Sequence, residues 1–254
     1  MARYAPGVRV AIEVVPRSND SFLAQLSEVA SLNAVDAVNV PDLAHFKLAG
    51  WQAALQVRAS HPGYRAVPHV RAMEVDPGAD WWPGARLSAA GVNEVLVVTG
   101  DPPATMARPL TGAHSVEVIR AFKRQFPDWR VYAGLDPYRA GFSHELEYAH
   151  RKLEAGADGF FTQPFFDLRL MAVWREMLPG VPVFWGVTSV TTRNAMDYWL
   201  KRNRAVFPAG FEPSLEWHRR FAGAALDFAA EHDTNVYFMP IRVGITAWLA
   251  GVLG

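Results

Sequence analysis

Short runs rich in Val, Ile and Phe recur along the chain, separated by stretches whose apolar positions repeat every three to four residues. The runs are VRVAIEVV (8–15), VDAVNV (35–40), RAVPHV (65–70), NEVLVVT (93–99), WRVYAGL (129–135), ADGFFTQ (157–163), VPVFWGV (181–187) and TNVYFMP (234–240). Their interiors are nearly continuous rather than alternating, which is the pattern of parallel strands covered on both faces. Between them, SVEVIRAFKRQF places Val118, Ile119, Phe122 and Phe126 on one helical stripe, with Ser115 able to cap it. HELEYAHRKLEAGADG puts Leu146, Ala149 and Leu153 inward and stops at Gly156, and SLEWHRRFAGAALDFAAE does the same with Trp217, Phe221, Ala224 and Phe228.

Strand and helix repeated eight times in about 250 residues predict an α/β fold, a (β/α)8 TIM barrel forming a single domain over 1–254. An open doubly wound sheet is the main rival. Such a sheet usually carries a glycine-rich phosphate loop after its first strand, and here that strand ends in VVPRSND. The gap before the last strand holds two helical patterns and the loop FPAGFEP (207–213), a candidate for the site rim. The final run, ITAWLAGVLG, reads as a packed terminal helix, with a subunit contact as the alternative.

Lys plus Arg and Asp plus Glu number 25 each, so no bulk field favours nucleic acid or an anionic membrane. There is no cysteine, which excludes disulfides, thiol nucleophiles and thiolate metal sites and fits a reducing cytoplasm. The first residues carry Arg3, Arg9, Glu13 and Arg17 without a long apolar core, and the longest apolar run is about half a membrane span. The expectation is a cytoplasmic protein without a signal peptide or a membrane partner. A G-x-S-x-G elbow, a P-loop and an H-E-x-x-H are all absent.

In a barrel enzyme the chemistry gathers where the strands end. The polar residues there are Glu13, Asn39, His69, Thr99 with Asp101, Asp136, Gln163, Thr188 and Arg242. Glu13 interrupts an apolar strand, where ionisation is costly unless the carboxylate is paired or its pKa is raised. That suits a general acid, and a structural pair with a nearby Arg is the alternative. VTGDPP places Asp101 past the fourth strand, with Gly100 allowing close approach and Pro102-Pro103 stiffening the exit; an ordinary turn is the alternative. His69 taken alone reads as a satisfied core histidine. Gln163, in FFTQPFFD, can donate and accept toward a heterocyclic amide edge, or it can be a buried residue bonded to backbone.

Taken together, IEVVPR with Glu13, PHV with His69, TGDPP with Asp101 and KLEAGADGFFTQPFFD with Lys152 and Gln163 resemble the methylenetetrahydrofolate reductase family over nearly the whole chain. The resemblance implies a barrel that binds FAD and reduces 5,10-methylenetetrahydrofolate to 5-methyltetrahydrofolate with NADH or NADPH, within one-carbon metabolism and methionine biosynthesis. It implies that Glu13 and Asp101 are catalytic, that Gln163 and Asp101 hold the pterin, and that His69, Thr99, Asp136, Glu145 and Lys152 lie on the cofactor side. The family's usual Phe-Phe-Pro-Pro is here Val14-Val15-Pro16-Arg17, and Pro41 stands near a common flavin-contacting Thr. Gly134 to Tyr138 lacks the Tyr and His many members place on FAD, and Thr191-Thr192-Arg193 lacks a substrate-packing aromatic. These departures fall on cofactor contacts more than on Glu13, Asp101 and Gln163, so FAD is expected to bind weakly. Two alternatives stand beside this reading: a flavin-independent nicotinamide-dependent reductase, and a non-catalytic folate-binding or partner subunit. A homo-oligomer is left open.

Overall fold

The computed structural model describes residues 7–101 and 109–254. Eight parallel strands close into a barrel in chain order: β1 Val10–Glu13, β2 Ala37–Val40, β3 Arg65–Arg71, β4 Glu94–Val98, β5 Arg130–Leu135, β6 Gly159–Pro164, β7 Val183–Thr188 and β8 Asn235–Met239. The expected (β/α)8 TIM barrel is what forms, and each strand falls within or within one residue of an apolar run. Closure pairs β1 with β8, setting Ala11 against Tyr237, and pairs β1 with β2, setting Glu13 against Asn39.

The helices are α1 Asn19–Ala30, α2 Gly50–Ser60, α3 Pro83–Ala89, α4 Ser115–Gln125, α5 Phe142–Glu154, α6 Leu168–Met177, α7 Arg193–Arg202, α8 Leu215–Glu231 and α9 Ile245–Leu253. Outward strand residues such as Ile12, Val38, Val95, Phe160 and Trp185 pack with the apolar helix stripes into one outer layer. Inward residues, including Ala11, Ala37, Val67, Leu96, Tyr132, Phe161, Phe184 and Tyr237, fill the barrel. Phe161 and Phe184 stack at 4.1 Å, and Tyr132 and Tyr237 each meet Phe161 edge-on at 5.2 Å.

Three local expectations need correction. Ser115 is the first helical residue of α4 rather than its cap, which is His114, and its hydroxyl turns inward to Thr99 Oγ1 at 3.2 Å and Tyr148 at 3.1 Å. In α8 the buried stripe runs through His218, Phe221, Ala222, Ala225 and Ala229, leaving Trp217 and Ala224 half-buried; small residues on that stripe let the helix sit close to the barrel. The 207–213 loop does not line the cavity described below. Phe207 and Phe211 instead join Tyr138, Phe166, Val190 and Trp199 in a separate aromatic cluster.

At the other sequence landmarks, Gly156 ends α5 with φ +104°, and α9 buries Trp248 and Leu249 against the rest of the fold. No helix among the described residues is long and apolar enough to cross a membrane.

Candidate active site

A cavity of about 490 Å³ opens at the C-terminal ends of the strands, a volume within the range of small-molecule sites. Glu13, His69, Thr99, Asp101, Asp136, Glu145, Lys152 and Gln163 all line it, so eight positions spread over 150 residues of sequence meet at one mouth. Asn39, Thr188 and Arg242 do not line it. The Thr188 hydroxyl donates across the sheet to the Met239 carbonyl at 2.7 Å, and Arg242 is exposed with φ +58°. Asn39 is fully buried, and neither amide atom has a partner among the described residues.

Glu13 is the last residue of β1 and faces the interior. Burial pushes its carboxyl up to about 6, opposed by a hydrogen bond from Tyr237 and by the charge of Arg17. The Tyr237 hydroxyl donates to Glu13 Oε2. The alternative of a structural carboxylate ion-paired with arginine is therefore not what the fold builds, since Glu13 takes a neutral donor. His69 is not a satisfied core histidine either. Its Nε2 is buried without a partner among the described residues, and burial drives the ring down to about 3, so it is neutral at physiological pH.

Asp101 and Gln163 form the open lip, both exposed. The β6–β7 register shifts between Phe161 and Pro164, an irregularity of the kind that re-aims a side chain, and Gln163 lies within it. Gln163 is thus not the buried, backbone-bonded residue of the alternative reading. Of the four phenylalanines nearby, only Phe161 lines the cavity. Gly100 has φ +87°, and a Cβ there would press on Arg71 at 3.3 Å. Buried Arg71 in turn donates to the Asp101 carbonyl at 2.5 Å and pairs with Glu74 at 2.7 Å, which fixes the turn that presents Asp101. Pro102-Pro103 lie outside the described residues.

The far wall is a connected polar network. Glu145, nearly fully buried, pairs with Arg139 at 2.7 Å and accepts the Asp136 N–H at 3.3 Å. Lys152 donates to the Gly134 carbonyl at 2.6 Å and lies 3.9 Å from the Tyr148 ring; burial pulls its ammonium down to about 8 against the attraction of Glu145. Asp136 accepts the Tyr138 N–H at 3.0 Å, and burial raises its carboxyl. Thr99 is joined through Ser115 to Tyr148. Four of the five residues expected to hold FAD therefore already have protein partners. Freeing such a group inside the wall would cost about 1–3 kcal/mol unless the ligand restored each bond.

Sequence reasoning missed Tyr237, Arg71 and Arg139 as cavity residues. Tyr237 and Arg71 were findable by period two, because each lies two positions along its strand from an inward residue, Met239 and His69 respectively. Nothing in the sequence marked Arg139.

The barrel itself is widely shared. An uncharacterized protein from Clostridium thermocellum that binds two copies of 5-methyl-5,6,7,8-tetrahydrofolic acid superimposes with a TM-score of 0.63 at 13% identity, covering 97% of this chain and 94% of that one. A 2,3-dimethylmalate lyase of the PEP mutase/isocitrate lyase superfamily reaches 0.61 at 14% identity over 93% and 75%. Oxaloacetate acetylhydrolase with the inhibitor 3,3-difluorooxalacetate reaches 0.59 at 14% identity over 97% and 78%. Likeness at such identity speaks for the fold alone. Sequence is more discriminating: residues 84–220 match the family model for methylenetetrahydrofolate reductase. That stretch is more than half of the 254 residues and runs through Asp101, Lys152 and Gln163, and it is on this match that the chain belongs to the methylenetetrahydrofolate reductase family.

Proposed function

We propose that the protein reduces 5,10-methylenetetrahydrofolate to 5-methyltetrahydrofolate, taking a hydride from NADH or NADPH as second substrate. The observation that carries this reading is Glu13, a carboxyl with its acidity near pH 6 on the wall of a ligand-sized cavity in a member of this family. A proton from Glu13 to a nitrogen of the folate's five-membered ring breaks the bond from that nitrogen to the methylene carbon, leaving an iminium on the other nitrogen. Hydride from the reduced nicotinamide then adds to that carbon and gives the methyl group. One proton and one hydride are consumed, and the oxidised nicotinamide leaves.

The exposed Gln163 suits the amide edge of the pterin, to which it can both donate and accept. Asp101, held on its Arg71-pinned turn, supplies a fixed negative charge toward the cationic iminium, the form of electrostatic support a preorganised site provides. The direct form of the transfer is adopted here because Thr99, Asp136, Glu145 and Lys152 each already spend a bond on a protein group, which weakens that wall as an anchor for FAD.

The test is nicotinamide oxidation by the purified protein, with and without methylenetetrahydrofolate and with and without added FAD. Folate-dependent oxidation indifferent to FAD is expected. A rate that rises with FAD would restore the flavin-dependent form of the reading, and folate binding without oxidation would leave a non-catalytic binder.

A further inference from the structure

We infer that Tyr237 is a positioning residue for Glu13, fixing which carboxyl oxygen carries the transferable proton. The inference rests on the reductase reading above and extends it to a side chain 224 positions away in sequence. Closure of the barrel is what joins them: β8 lies beside β1, and the Tyr237 hydroxyl reaches Glu13 Oε2. The tyrosine ring is held in place, 3% exposed and edge-on to Phe161 at 80°. Both residues line the cavity.

The chemistry follows from the donor. Burial and the neighbouring Glu13 charge raise the phenol well above its ordinary value, so it keeps its hydrogen and stays a donor across the working range. An oxygen already accepting that hydrogen bond is the poorer place for a second hydrogen, which leaves Oε1 to carry the acid proton. The same bond stabilises the carboxylate formed after transfer and so keeps Glu13 a stronger acid than burial alone would make it. Around Glu13, Arg17 from the loop after β1 also favours the charged form. From β2 comes uncharged Asn39 beside it, from the segment after β2 comes Asp42, which lines the cavity, and from β3 comes neutral His69.

Replacing Tyr237 by Phe keeps the ring and removes the donor. A net hydrogen bond of about 0.5–1.5 kcal/mol corresponds to roughly half to one pH unit. The Tyr237→Phe protein should therefore lose activity on the alkaline side at a pH higher by that amount. The Glu13 carboxyl band in infrared spectra, isolated by subtracting the Glu13→Gln protein, should titrate with the same upward displacement. A folded Tyr237→Phe protein with both midpoints unmoved overturns the inference, since a purely structural tyrosine would change melting alone. The infrared titration needs no turnover. A displaced band in a protein that does not reduce folate upholds the positioning role and sinks only the reductase reading, and the converse result sinks only the positioning role. Should Tyr237→Phe not fold, 3-fluorotyrosine at position 237, a stronger donor of nearly the same shape, should move the band midpoint down, and an unmoved midpoint counts against the inference.

Discussion

Two inward-facing carboxylates occupy opposite ends of this barrel, and the fold treats them differently. At the N-terminal end, Glu94 opens β4 with one oxygen taken by Arg9 at 2.9 Å and the other by Arg65, while Arg9 also reaches the Tyr132 hydroxyl at 3.0 Å. At the C-terminal end, Glu13 closes β1 with a neutral donor, Tyr237, beside a buried Asn39 and a His69 nitrogen that have no partners among the described residues. Charge balanced by charge stabilises the bottom of the barrel. At the top, burial without an ion-paired partner pushes a carboxyl up to about 6, so that it holds a proton it can pass to a ligand.

Breaking each end should have a different signature. The largest expected effect is at the top: Glu13→Gln should fold, bind folate and lose the reductive step by roughly 10²–10⁴, the range for a missing general acid, as read by single-turnover kinetics. A wild-type rate in the folded variant would remove Glu13 from the chemistry. At the bottom, Glu94→Gln strands the half-buried Arg9 charge and should lower unfolding free energy by about 2–3 kcal/mol in urea titration, below the range for a fully buried pair, with the rate per folded molecule unchanged. If stability held and activity fell, the assignment of the two ends would be reversed.

Gln163→Ala should weaken folate binding by about 1–3 kcal/mol, measured by calorimetry, because the pterin edge would lose its partner in the complex. An unchanged dissociation constant would make Gln163 a bystander on the lip. The smallest effect concerns pH and stability. Glu13 is raised from 4.5 to about 6 in the folded state, so the native protein binds more protons than the unfolded chain between these values. Its contribution is fully present below pH 4.5 and is lost as pH rises through about 6, a difference on the order of 2 kcal/mol. Subtracting the Glu13→Gln stability curve from the wild-type curve should show that step, and a flat difference would mean that the carboxyl is not raised.

The barrel was legible because buried parallel strands impose continuous apolar runs, and eight of them survive in the sequence without interruption. The polar mouth was legible in part. Glu13, His69, Asp101 and Gln163 stand out where strands end, and barrel closure brings them together. Period two places Tyr237 and Arg71 on the inward face, but a tyrosine or an arginine in a strand carries no signal of which neighbour it will bond. The engagement of Thr99, Glu145 and Lys152 with Ser115, Arg139 and Gly134 was equally invisible, since it depends on how α4 and α5 lean on β4 and β5. Thr188 shows the opposite error: a polar residue at a strand end can be consumed by its neighbour's backbone.

The most direct test of the mouth as a site of hydride transfer follows the hydride itself. Nicotinamide carrying deuterium at the transferring position, incubated with the protein and 5,10-methylenetetrahydrofolate without added flavin, should give 5-methyltetrahydrofolate with one deuterium in the new methyl group by mass spectrometry. Absence of the methyl product, or product whose methyl carries solvent hydrogen instead of the label, would contradict direct reduction at this site.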